Sequence, residues 1–339
     1  MIGCEKMKKK TAADIVYENR KEMVNEIISN IKNGYIFPAE KWDRNMFRPQ
    51  NPITDVKYRG VNKFRLALAA AINGYKDPRW VTYNQVKNTK GLSFKNYDRS
   101  QGILCEKWIF EKKVKEKNED GLLEEKTVKL SRPMVSYFVL YNAQEINGLP
   151  ELVQSKLERD KTLDICDKFM KSSQCEIEET TDGRAYYIPQ GDKIVLPLRD
   201  SFRNSEAFFS TVLHEMGHST GHPTRLGRDQ SGLFGSESYA REELRAELSS
   251  YFTEADLGID LGDHGLHHHV MYLDSWIGAL ENDVNELFHA ISDADASTQY
   301  LMQNYEKMLA KEEHNIEKNE TSISIKEEID KEEHDEMER

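Results

Sequence analysis

His214-Glu215-Met216-Gly217-His218 is the stretch on which the reading of this 339-residue chain turns. Its pattern is HExxH. On a helix, positions i and i+4 lie one above the other on the same face, so both imidazoles can reach a single ion. Glu215 projects beside them, where it can take a proton from a water acidified by zinc. Phe208, Phe209, Val212, Leu213 and Met216 supply an apolar face at helical spacing. With Asn204 or Ser205 as N-cap, the spacing predicts a helix over residues 205–220.

Zinc catalysis needs a third protein ligand and an open fourth position. The metzincin pattern would put histidine at 224; Gly221 fits it, but the position holds Thr224. His222 is one helical offset wrong and is expected to pack or hydrogen-bond beside the site. Downstream, on a helix expected over 238–256, comes Glu242-Glu243-Leu244-Arg245-Ala246-Glu247. Leu244, Leu248 and Phe252 make its buried stripe, with Glu243 and Glu247 one turn apart at the edge. That matches the gluzincin arrangement, in which the first acid binds metal and the acid four residues on orients a ligand histidine. Glu243 is the expected ligand, Glu247 its outer-sphere companion, and Glu242 the alternative. Of His267-His268-His269 at most one ring can face a given point. His269 is the candidate donor to a transition state, and Tyr186 or Tyr187 would serve similarly. Two short strands, at Tyr186 and at Lys193, precede the motif helix; Ile194-Val195-Leu196 suits an edge against which a peptide adds as a strand.

Composition narrows the setting. The longest apolar runs, such as Leu66 to Ile72, fall far short of the roughly 20 residues of a membrane span. Lys6, Lys8, Lys9 and Lys10 are followed by no apolar signal-peptide core. Cys4, Cys105, Cys166 and Cys175 form no CxxC, so neither a disulfide framework nor a thiolate zinc site is indicated. A soluble, cytoplasmic protein with reduced thiols and no membrane partner is expected.

The net charge of −12 hides an asymmetry: residues 1–132 hold 28 Lys+Arg against 17 Asp+Glu, and the remainder 19 against 42. A polyanion-facing N-terminal part is implied. Between residues 40 and 100 there are 13 Lys+Arg and 5 Asp+Glu, with Trp42, Phe47, Tyr58, Phe64, Tyr75, Trp80, Tyr83, Phe94 and Tyr97 among them. Cations track phosphates while flat rings stack on unpaired bases, so the mixture fits single-stranded nucleic acid. No zinc finger, basic zipper or helix-turn-helix pattern points to duplex.

Along the chain, helices are expected over 12–34, 63–73, 151–171, 266–290 and 296–312, and strands between Cys105 and Asn142. The fold class is therefore α+β in two domains. Residues 1–150 form an α+β module for single-stranded DNA; residues 151–310 form a zincin-like, mostly helical domain with a small antiparallel sheet. Residues 311–339, with 12 acidic and 5 basic residues in the tail, are expected to be disordered or weakly helical.

Two long stretches resemble the antirestriction protein ArdC and its relatives on conjugative plasmids and phages. One comprises Arg48-Pro-Gln-Asn-Pro, Tyr58-Arg-Gly-Val-Asn and Asp77-Pro-Arg-Trp-Val-Thr-Tyr-Asn-Gln. The other runs from Tyr186 through His214-Glu-Met-Gly-His-Ser-Thr-Gly-His-Pro-Thr-Arg-Leu into Tyr239-Ala-Arg-Glu-Glu-Leu-Arg-Ala-Glu-Leu, and His269 to Trp276 also fits. The similarity spans about residues 12–305 and leaves out the acidic tail. It implies an N-terminal domain for single-stranded DNA and a C-terminal zincin-like domain similar to Spartan-type proteases. It also implies metal ligands at His214, His218 and the Glu243 region, with Glu215 as base. Arg48, Tyr58, Arg59, Asn62, Lys63, Arg79, Trp80, Lys87 and Lys90 are the expected DNA contacts. The function expected is a zinc metallopeptidase that binds single-stranded DNA and acts on DNA-associated proteins or peptides. A DNA-binding shield needing no proteolysis is the second reading, and a metal-dependent hydrolase of nucleic acid the third. The 1–150 part is expected to bind single strands by itself, less tightly as salt rises.

Overall fold

The computed structural model describes residues 10–33, 44–117, 123–152, 157–233, 235–262 and 273–337. Helix α1 (Ala12–Lys32) starts at a capping box between Thr11 and Asp14 and buries Val16, Val24, Ile27 and Ile31. Helix α2 (Gly60–Asn73) ends where Gly74 takes the left-handed conformation, φ 69°. A three-stranded antiparallel sheet follows, in the order β1 (Trp80–Thr82), β4 (Leu123–Asn142), β3 (Ile103–Lys117). Beyond a register shift between Ile109 and Glu111, β3 and β4 continue as a two-stranded ribbon. At the other end, α3 (Tyr83–Asn88) and the pair β2 (Ser93–Phe94) and β5 (Ile146–Asn147) close over a satellite core of Val81, Val86 and Ile146.

The C-terminal half opens with α4 (Arg159–Lys171) and a sheet in the order β6 (Glu176–Thr180), β8 (Lys193–Pro197), β7 (Tyr186–Ile188). Two expectations change here. The sheet is mixed, because β8 runs parallel to β6 and antiparallel to β7. Ile194-Val195-Leu196 is also the central strand, not an edge. All three side chains are buried, as an unbroken apolar run in a strand covered on both faces requires. The edge beside the HExxH helix is β7.

Helices α5 (Ser205–Ser219), α6 (Glu237–Leu257), α7 (Leu273–Asn282) and α8 (Val284–Met337) complete the chain. The helices expected at 266–290 and 296–312 are divided differently, with the break at Asp283. Residues 311–337, expected to be disordered or weakly helical, continue α8. No glycine or proline interrupts 284–337, and its Glu, Lys, Gln and Ala favour helix. No helix among the described residues is long and apolar enough to cross a membrane.

The two domains share apolar packing. One core joins Ile27, Phe64 and Trp80 of the N-terminal half to Leu244, Leu248 and Phe252 of α6, Trp276 and Leu280 of α7 and Ile291 of α8. Phe47 lies 5.6 Å from Phe252, and Lys63 donates to Asp256 at 2.8 Å across the same seam. The N-terminal elements thus draw part of their apolar covering from helices beyond residue 236. The second core, of Phe169, Leu196, Phe208, Leu213, Met216 and Leu301, seats α5 between the C-terminal sheet and α8. Helix α6 therefore packs into the first core while flanking α5.

Candidate metal centre

Asn204 caps α5, its side-chain oxygen accepting from the Ala207 amide at 2.9 Å. Phe208, Phe209, Val212, Leu213 and Met216 bury one side of the helix. That anchoring turns His214 and His218 toward α6. The two helices come close at Gly217, where a Cβ would sit 3.2 Å from the Ala246 carbonyl oxygen and 3.3 Å from its Cα. A side chain at 217 would push α6, and the carboxylates it carries, away from the histidines.

Three donors then converge. The Nε2 atoms of His214 and His218 are 3.1 Å apart, and the Glu243 oxygens lie 3.5 Å from the first and 3.4 Å from the second. Tetrahedral ligands about 2.0–2.1 Å from one ion stand about 3.3–3.4 Å from each other. The spacing and the His-His-Glu chemistry therefore fit a divalent cation, and these three residues form the metal-competent cluster among the described residues. Outside them, Glu247 meets His214 Nδ1 at 3.4 Å and Glu242 meets His218 Nδ1 at 3.3 Å. Each imidazole thus has one nitrogen facing Glu243 and the other facing a second carboxylate, hydrogen-bonded in the case of His218, a placement that fixes ring orientation and raises ligand basicity.

The field in the site is negative. Burial alone would lower the pKa of both imidazoles, yet hydrogen bonds to Glu243 and Glu247 raise His214 well above its ordinary value. Those to Glu242 and Glu243 hold His218 at about 9. Burial would raise Glu243, but the same two rings hold its carboxyl far below the usual range. Glu215 goes the other way: burial pushes it up, against the two histidines and the backbone N–H of Tyr187. A carboxyl raised by desolvation beside a cation site is suited to carrying a proton. All these groups open on one cavity of about 780 Å³, walled by β7 through Tyr186 and Tyr187, and by Phe202, Tyr239, Tyr251 and Glu254.

Several expected residues take other places. His222 lies past the end of α5, in the turn, where its Nδ1 meets the Thr224 hydroxyl at 2.8 Å; it does not line the cavity. The Tyr187 hydroxyl donates to Asp192 at 2.9 Å, and Arg225 holds that carboxylate with two 2.7 Å contacts. The Tyr186 hydroxyl approaches Asp182 at 3.5 Å. His269 lies outside the described residues.

Sequence reasoning missed the support behind His218. Arg228 grips Glu242 through Nε and Nη2 at 3.0 and 2.7 Å, and also donates to the Gly217 carbonyl, the Thr220 hydroxyl and the Ser297 hydroxyl. Gln230 adds a 3.1 Å bond to Glu242. Glu242, read as the alternative ligand, is the orienting carboxylate. No local pattern marks Arg228, since its partners come from α5, α6 and α8.

The expected DNA contacts divide. Trp80 is fully buried and meets Tyr75 edge-on, so it offers no face to a base. Lys63 is buried in its pair with Asp256, 4.7 Å from the Phe252 ring centroid. Arg79 folds back on Asp77, its side chain only 11% exposed. Asn62 clasps β3, donating to the Glu106 carbonyl and accepting from its amide. These four serve the fold, because in so small an N-terminal layer the motif residues must also close the core. Tyr58 is half-buried and stacks on Phe138, whereas Arg48, Arg59, Lys87 and Lys90 are exposed.

The fold and donor set define a zincin-like metallopeptidase domain behind a smaller α+β domain. Residues 164–293 match the family model of zincin-like metallopeptidases, and residues 17–141 that of the N-terminal domain of anti-restriction factor ArdC. Crystal structures of the antirestriction ArdC protein from plasmid R388 superpose with a TM-score of 0.65 at 28% identity. The metal-free form covers 85% of this chain and 98% of that one, the Mn(II)-bound form 84% and 97%. The chain belongs to the ArdC-like family. A DNA primase TraC of Escherichia coli is 34% identical over 291 residues, and a second is 32% identical over 302, covering 83% and 86% of this chain. The chain spans only 19% and 27% of their lengths. Uncharacterized protein y4eC of Sinorhizobium fredii is 29% identical over 289 residues, 84% of this chain and 91% of that protein.

Proposed function

We propose that this protein is a zinc-dependent peptidase that binds single-stranded DNA and cleaves DNA-associated proteins. The convergence of His214, His218 and Glu243 at ligand spacing, beside a buried Glu215, is the observation that carries the reading. A divalent cation held there supplies Lewis acidity, polarising a peptide carbonyl and making water a better nucleophile at neutral pH. Glu215 takes the proton from the attacking water and passes it to the leaving amine. Edge strand β7 supports a peptide added antiparallel along the cavity wall. Glu242 and Glu247 keep the imidazoles in register through their Nδ1 atoms. The N-terminal charge excess, with Arg48, Arg59, Lys87 and Lys90 exposed, supports a polyanionic partner.

Metal analysis of the purified protein beside His214→Ala tests the site: stoichiometric metal is expected in the first and little in the second. Glu215→Gln should retain metal and lose cleavage of a DNA-bound protein substrate, and unchanged proteolysis would exclude the mechanism. That the R388 relative is an antirestriction protein favours a second reading, a shield protecting DNA without proteolysis. Full protection from restriction by Glu215→Gln would select it.

A further inference from the structure

We propose that the exposed tyrosine pair Tyr83 and Tyr97, seated on Phe94 and Tyr141, is the platform on which unpaired bases of single-stranded DNA stack. The proposal rests on the single-strand reading above and gives it a location, which the burial of Trp80 leaves open. The capping box at Thr82 starts α3 at Tyr83, and the pairing of β2 with β5 fixes Phe94. Tyr83 and Phe94 stack at 5.7 Å with 22° between their planes. Tyr97 sits 5.1 Å from Tyr83 and 4.9 Å from Phe94. Beneath them Tyr141, 97% removed from solvent on β4, lies 5.1 Å from Phe94 and 5.8 Å from Tyr97. The lower rings are anchored, yet Tyr83 remains 38% exposed and Tyr97 51%. Large rings fixed at a surface are what a stacking ligand needs, since a tyrosine with two side-chain torsions loses little entropy on binding.

Charge selects the ligand. Residues 83–101 carry Lys87, Lys90, Lys95 and Arg99, all exposed, against the single acid Asp98. Among the described residues none of the four cations is in an ion pair. Lys87 Nζ lies 5.7 Å from the Tyr83 ring centroid, whereas Asp98 is turned to the Ser100 amide at 2.8 Å. Rings fringed by unpaired cations fit a ligand that pairs flat bases with a phosphate chain. A duplex keeps its base faces covered.

The test uses the full chain and fluorescein-labelled oligothymidylate, read by fluorescence anisotropy at low salt. Tyr83→Ala and Tyr97→Ala should each weaken binding about tenfold, and the double variant about a hundredfold. Tyr83→Phe with Tyr97→Phe should bind like the parent. Tyr17→Ala, which removes a ring 48% exposed on α1, should do the same. Lys87→Ala should lower the slope of log affinity on log salt by about 0.7. Melting curves establish that each variant is folded. A folded double-alanine variant with parental single-strand affinity overturns the proposal and leaves a protein as the ligand of this surface. Equal losses in the phenylalanine and alanine pairs overturn stacking. A parent protein that ignores oligothymidylate would instead defeat the single-strand reading itself.

Discussion

Replacing Arg228 by methionine tests the support of the metal centre most directly. The guanidinium uses all five N–H donors on Glu242, Gly217, Thr220 and Ser297, tying the end of α5 to α6 and α8. Methionine fills similar volume but leaves the Glu242 carboxylate buried with only His218 and Gln230. Breaking a buried ion pair from one side costs about 3–5 kcal/mol. The Glu242 carboxyl agrees in direction: burial would raise it, yet hydrogen bonds from His218 and Arg228 together hold it at about 2, below its ordinary value. At about 2 °C per kcal/mol for a chain this large, the metal-free variant should melt about 6–10 °C lower. Because Glu242 orients His218, affinity for zinc or Mn(II) should also fall about 10- to 100-fold. Arg228→Lys keeps the charge but not the two-pronged grip and should lie between. Differential scanning calorimetry without metal and competitive metal titration read the two effects separately. A folded Arg228→Met protein melting within about 2 °C of the parent, with unchanged metal affinity, would refute the chain from Arg228 through Glu242 to His218.

Three other outcomes follow from the packing. An isolated 1–150 fragment should lack the dispersed NMR spectrum of a folded domain, since Phe64 and Trp80 pack against helices it has lost; a well-dispersed spectrum would show that the shared core is dispensable. Trp80→Ala should cost about 3–5 kcal/mol in urea unfolding, whereas folded Trp80→Leu, which fills the core without an aromatic face, should keep single-strand affinity, which separates a core residue from a stacking one. Cys105 and Cys166, whose thiols burial pushes up to about 12, should resist iodoacetamide at pH 8 in the native protein and react once it is unfolded, as peptide mass spectrometry would show.

The metal helix and its neighbour were legible because their signals are local. HExxH fixes two donors through the helical repeat alone, and the Leu244, Leu248, Phe252 stripe orients α6 well enough to bring Glu243 and Glu247 forward. The N-terminal contacts were harder to read. A basic, aromatic-rich composition does not say which lysine or tryptophan is covered, and Lys63, Arg79, Asn62 and Trp80 all turned inward. Their covering comes from partners far along the chain, such as Asp256 for Lys63. The central position of Ile194-Val195-Leu196 escaped for the same reason, since β6 joins it in parallel from beyond the β7 hairpin.

Residue order alone sets the chemistry of the site: two imidazoles one turn apart, a proton carrier between them and an acidic helix downstream. Those follow from the pitch of a helix, which is set by the backbone. Which acid would hold the cation and which would steer a ring was decided only in three dimensions, by the approach of α6 to α5 over Gly217 and by Arg228 arriving from the connecting loop. Adjacent glutamates differ by about 100° around a helix, and only the neighbouring helix gives that angle a meaning.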